Sequence, residues 1–82
     1  MKGRYFYMAK LTNQDRIYIA RNILHYRKSK GWTQEQLAFE SNSTNKCISD
    51  LELAKRNATI DTVSKVAKAL GQNLSTISKP VK

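Results

Sequence analysis

An all-α domain of four to five short helices is what this chain predicts, and three observations predict it. Apolar residues recur at spacings of three and four between Asn13 and Leu70. Residues that start and stop helices punctuate that pattern, Thr33, Thr44 and Asn73 as caps and Gly31 and Gly71 as stops. Alternation of the kind a half-buried strand requires is confined to "RYFYMAKL" near the start.

The first helix is expected from Asn13 to Lys30, with Ile19, Ile23 and Tyr26 as its apolar stripe and Ile17, Ala20 and Leu24 widening it. Thr12 stands where its cap belongs and Gly31 where it should end. The second helix, Gln34 to Ser41, opens on the strongest local signal in the chain. Thr33 at the cap and Gln36 three residues later make a capping box, and Trp32 and Leu37 are placed for a hydrophobic staple. The run "SNST" then supplies turn and capping side chains. Thr44 caps a third helix that turns Ile48 and Leu51 inward together with the small Cys47. After the loop "LAKRNAT", a fourth helix from Ile60 to Leu70 carries Ile60, Val63, Val66, Ala67 and Leu70 on one face. Asn73 caps a short fifth helix before Pro80. On this reading residues 13–78 form one domain, residues 1–12 are an N-terminal extension in which Met8 is an alternative start, and residues 79–82 are a tail.

Composition limits the partners. Fifteen Lys and Arg against six Asp and Glu give a formal charge of +9 over 82 residues, so the chain attracts polyanions. A domain this small encloses no large pocket. Its single cysteine, Cys47, forms no internal disulfide, and no cluster of Cys and His has metal-ligand spacing. No paired carboxylates, Gly-rich phosphate loop or nucleophile motif is present, so no catalytic residue, metal or cofactor is assigned. No apolar run has the length of a membrane span or a signal peptide. A reducing, cytoplasmic setting is the expectation. His25 reads as a surface residue, Trp32 as part of the core, and Arg27, Lys28 and Lys30 as complements to the dipole at the end of the first helix.

Two short helices joined by a tight turn, set in a basic helical domain, are the helix-turn-helix arrangement. From about Ile19 to Ile77 the sequence resembles the helix-turn-helix domain of phage repressors and Cro, the lambda-repressor-like fold. The resemblance lies in "NI..YRKSKGWTQEQLA", "ISDLE", "KRN" and "IDTVSKVAKALG", which occur in the family's order and spacing. Four fragments in register are specific where one would be weak. The chain departs from the pattern at Asn42 and Ser43, where the family has Gly and an apolar residue, and at Ser41, where it has an apolar one. Ala54 and Ala58 replace the usual Gly and Pro. These changes are expected to weaken the packing between the second and third helices.

The resemblance implies a regulator that binds double-stranded DNA as a homodimer on a near-palindromic operator, and allows a contact with RNA polymerase. It matches Asn45, Lys46 and Ser49 to positions that reach base edges. The chemistry suits that role, since Asn bonds adenine bidentately, Lys bonds guanine and Ser bonds several bases. Asp50 lies near the same surface as a cytosine acceptor. Gln34 matches a position that touches phosphate, and Thr33 and Thr44 mark helix N-termini that favour an anion. Lys55, Arg56 and Asn57 follow the third helix in a loop that runs along the backbone in the family. Leu74 and Ile77 are the expected dimer contacts, with the "YFY" of the extension as a second candidate. Among small stand-alone members, the stretch "RNATIDTVSKVAKAL" looks most like controller proteins of restriction-modification systems and immunity-type repressors. The alternative is an antitoxin or adaptor whose main role is to bind a partner protein, which would require an exposed apolar patch. The apolar face of the first helix is needed for the core, which argues against membrane-surface binding.

Overall fold

The computed structural model describes residues 13–55 and 60–80, and five helices run through them: α1 (Asn13–Ser29), α2 (Gln34–Glu40), α3 (Asn45–Glu52), α4 (Ile60–Ala69) and α5 (Leu74–Ile77). No strand occurs among these residues. The extension 1–12 with the expected cap Thr12, the loop positions Arg56, Asn57 and Ala58, and the end of the tail lie outside them, as does the side chain of Ile60.

Three helices start on the expected caps. Thr33 Oγ1 accepts from the Gln36 N–H at 3.0 Å, Thr44 Oγ1 from the Cys47 N–H at 3.1 Å, and Asn73 Oδ1 from the Thr76 N–H at 2.8 Å. Each removes one orphan donor from the first turn. The capping box of α2 is only half made. Gln36 does not reach back to Thr33, because its Nε2 donates to Glu40 Oε2 at 2.8 Å one turn further along the exposed face.

Four helices stop in the same way. Gly31 (φ 72°), Asn42 (56°), Ala54 (56°) and Gly71 (77°) each take a left-handed backbone just past a helix end. At each, the residue's own N–H donates three residues back and the following N–H donates five back, for example Gly31 to Lys28 at 3.0 Å and Trp32 to Arg27 at 3.1 Å. Asn42 and Ser43 repeat the pair at the end of α2, Ala54 and Lys55 at the end of α3, and Gly71 and Gln72 at the end of α4. This double bond satisfies the last carbonyls of a helix and needs a positive φ. Glycine takes that conformation freely and asparagine tolerates it, which is why the "SNST" turn closes without a glycine. Alanine at 54 holds it at a cost of about 1–2 kcal/mol. Ala54→Gly is therefore expected to raise stability by about 1 kcal/mol, net of the extra chain entropy that Gly loses on folding. A urea denaturation midpoint that falls for this variant would contradict the strain assigned to Ala54.

The core joins all five helices. Ile19 and Ile23 of α1, Leu37 and Ala38 of α2, Ile48 and Leu51 of α3, Val63, Val66 and Ala67 of α4, Leu70, and Ile77 of α5 are buried together. Tyr26, Trp32, Cys47, Ala69 and Leu74 pack against them. α3 lies against both α1 and α2, α4 packs on α2 and α5, and α5 closes back onto α1. Ile17, expected to widen the stripe of α1, is instead exposed, because its direction along the helix falls beyond the edge of the core.

Among the described residues two polar ones, Ser41 and Asn22, are buried with the apolar ones, and both are satisfied. Ser41, which stands where the family pattern has an apolar residue, donates from Oγ to the Leu37 carbonyl at 2.7 Å. Asn22 directs Nδ2 to the carbonyls of Tyr18 (3.0 Å), Ile77 (2.7 Å) and Lys79. It thereby fastens the middle of α1 to the end of α5, two segments 55 residues apart. Nothing in the local sequence distinguishes this asparagine from one on a solvated helix face.

Candidate nucleic-acid interface

The turn after α2 and the Thr44 cap set the start of α3 at the surface. From there the helix is sharply two-sided. Ile48 and Leu51 are buried and Cys47 is half-buried on the inner side, whereas Asn45 and Lys46 are exposed on the outer side. Ser49, expected to be exposed with them, is half-buried. Asp50 is more enclosed than its expected surface position implied. Its carboxylate faces Lys46 Nζ at 3.4 Å, with 13% of its side chain exposed against 81% for the lysine. The pair draws the Lys46 ammonium toward the second turn of α3, and most of the lysine side chain stays exposed.

Behind this face stands an ion pair that joins three helices. Arg27 near the end of α1 donates from Nε to Glu52 Oε2 at 2.6 Å and from Nη2 to Glu52 Oε1 at 3.0 Å. Its Nη1 donates to the Trp32 carbonyl at 2.8 Å. Gln34, the first residue of α2, adds a third donor to Glu52, Nε2 to Oε1 at 2.9 Å. The carboxylate at the end of α3 thus gathers the end of α1 and the start of α2. A bidentate guanidinium and carboxylate is both strong and directional. The sequence alone suggests only a helix-dipole role for Arg27 and none for Glu52. Their roles follow from tertiary contact across 25 residues, for which the sequence carries no periodic signal. Gln34, expected to face phosphate, is tethered by its amide nitrogen to this network.

Thr33 and Thr44 are exposed at the starts of α2 and α3, and Lys55 is exposed just after α3. Arg56 and Asn57 lie outside the described residues. The expected dimer residues divide. Leu74 is half-buried, but Ile77 is wholly buried in the chain's own core. Enclosed in the core cluster, its side chain has no surface to offer a second subunit. Two large apolar side chains without a sequence signal for exposure are well exposed, Phe39 on α2 and Leu53 just after α3. Lys30 Nζ sits 5.1 Å from the centre of the Trp32 ring, and Trp32 packs on the core as expected. His25 is exposed, with its ring edge-on to Tyr26. Among the described residues no group of three or more His, Cys, Asp or Glu is placed to hold a metal, and no helix is long and apolar enough to cross a membrane.

The order of capped helices, turn and two-sided α3 coincides with a known family: the helix-turn-helix model matches residues 23–77, more than half of the chain. The chain belongs to the helix-turn-helix family. As such it is a DNA-binding transcription regulator by family and of the phage repressor and Cro type. Control protein C.BamHI of Bacillus amyloliquefaciens is 39% identical over 62 residues, which covers 74% of this chain and 76% of that one. An uncharacterized helix-turn-helix-type transcriptional regulator, y4dJ, of Sinorhizobium fredii strain NGR234 is 36% identical over 53 residues, 65% of this chain and 69% of that one. Among solved structures, the hypothetical transcription factor NHTF from Neisseria superposes with a TM-score of 0.77 at 31% identity, covering 84% of this chain and 80% of that one. The clp gene regulator ClgR from Corynebacterium glutamicum shares the fold, with a TM-score of 0.70 at 24% identity over 76% of this chain and 66% of that one. The lambda-repressor-like, all-α architecture expected of this helix-turn-helix protein agrees with these neighbours.

Proposed function

We propose that this helix-turn-helix protein regulates transcription by binding, as a homodimer, a near-palindromic DNA operator into whose major groove each subunit inserts α3. The observation that carries the reading is the division of α3, with Ile48 and Leu51 in the core and the exposed Asn45 and Lys46 on the opposite side at its capped N-terminal end. A recognition helix meets base edges with such an end. Asn45 and Lys46 supply the principal base contacts. Ser49 and the Lys46-bound Asp50 lie at the margin of the same site. Thr33, Gln34, Thr44, Lys55, Arg56 and Asn57 meet phosphates, with Gln34 held in place by Glu52. One α3 reads too few base pairs to select a single site, which favours two subunits with their recognition helices roughly 34 Å apart. The subunits meet around the end of α4 and α5, where Leu74 keeps part of its side chain exposed. A contact with RNA polymerase would follow from binding beside a promoter.

The likeness to a control protein supports assignment to a restriction-modification system. An antitoxin or adaptor role is the second reading, and the exposure of Phe39 on α2 is what favours it.

Mutation separates the two kinds of contact. Asn45→Ala and Lys46→Ala are expected to leave the melting temperature nearly unchanged, because both side chains are exposed, and each to cost about 1–3 kcal/mol of discrimination between the operator and single-base variants. Lys55→Ala should weaken binding to every duplex by a similar factor. Even losses across all variants for Asn45→Ala and Lys46→Ala would place the reading helix elsewhere. Sedimentation that shows only monomers at tens of micromolar, with and without operator, would remove the dimer.

A further inference from the structure

The outer side of α3 does not end with its polar residues. Leu53 continues the helical path, with φ −93° and ψ 0°, and its N–H donates to the Ser49 carbonyl at 3.0 Å. It follows Asn45 and Ser49 at intervals of four, so the three share one side of the helix. At about 1.5 Å per residue it stands about 12 Å along the axis from Asn45, a span of about three to four base-pair steps. Leu53 is 62% exposed, whereas Leu51 two positions earlier is 4% exposed, and Leu53 takes no part in the hydrophobic core. A large apolar side chain left mostly in water beside the exposed Lys55 gains little from this fold.

Resting on the DNA-binding reading above, we infer that Leu53 is a further specificity-determining residue, which packs on the C5 methyl group of a thymine at the outer edge of the segment read by α3. The edges of bases in the major groove offer hydrogen-bonding groups to Asn45 and Lys46, and the thymine methyl is the apolar feature that a leucine recognises there. Contact between Leu53 and that methyl removes both from water. Leu53 thereby selects T·A at a position where none of the neighbouring polar side chains is required to bond.

The test uses the full chain and an operator selected from random duplexes. Each thymine of the operator is replaced in turn by deoxyuridine, which deletes the methyl and keeps every hydrogen-bonding group. The unaltered protein should lose about three- to fivefold in affinity at one thymine per half-site beyond the bases read by Asn45. Leu53→Ala should be insensitive at that thymine, keep its sensitivity at the others and melt as the parent does. Leu53→Met, which retains an apolar side chain of similar size, should restore the methyl dependence. Identical deoxyuridine profiles for the parent and Leu53→Ala would overturn the inference while sequence-specific binding itself survived. If no duplex is selected at all, the DNA-binding reading falls and Leu53's role with it.

Discussion

Glu52→Ala lowers the stability of the fold by about 3–5 kcal/mol, the expected result of stranding Arg27, whose side chain is 11% exposed, beside an emptied site. For a domain of this size that loss corresponds to a fall in melting temperature of roughly 12 °C or more. It also approaches the whole stability of many small domains, so loss of a cooperative transition is within the same expectation. Replacing both partners, Arg27→Met with Glu52→Leu, should recover most of the stability, because no charge is then buried without a partner. The double variant should still bind DNA less well than the parent, since Gln34 has lost the acceptor that holds its amide. A Glu52→Ala protein that melts within a degree or two of the parent would show that the three-helix junction is not held by this pair.

Affinity for the operator falls by roughly three to five orders of magnitude between about 50 and 200 mM salt. The estimate follows from a dimer that neutralises on the order of six to ten phosphates through Lys55, Arg56, Gln34 and its helix N-termini, giving log affinity a slope of about −5 to −9 against log salt. The excess of fifteen basic over six acidic residues supports a steep dependence. Lys55→Ala removes about one phosphate contact per subunit and should make the slope shallower by about 2. Titrations at four or five salt concentrations measure both quantities. A flat response would be incompatible with DNA as the principal partner, and would leave the protein-binding reading in its place.

Much of the architecture was legible because its determinants are local. Thr33, Thr44 and Asn73 cap helices through bonds that span three residues, and Gly31 and Gly71 stop them through bonds that span five or fewer. The apolar stripes of α3 and α4 read directly as core. The half-made capping box was not legible, since the choice of Gln36 between Thr33 and Glu40 depends on side-chain competition at one surface. Nor was the burial of Ile77. A leucine and an isoleucine three apart on a short helix are equally suited to a core or to a subunit contact, and only the closure of α5 onto α1 decides between them.

The candidate site divides along the same line. Residue type and order alone determined that the chain is basic, all-helical and of the helix-turn-helix pattern, because charge, helical periodicity and capping are properties of neighbours along the chain. They also placed Asn45 and Lys46 opposite Ile48 and Leu51 on one helix. Tertiary structure alone decided that Glu52 binds Arg27 and Gln34, that Asn22 fastens α1 to the end of α5, and that Leu53 and Phe39 are left in water. Each of these depends on which distant segment arrives at a given side chain. That arrival is set by the packing of five helices on one core, a condition satisfied by the whole chain at once and written in no short stretch of it.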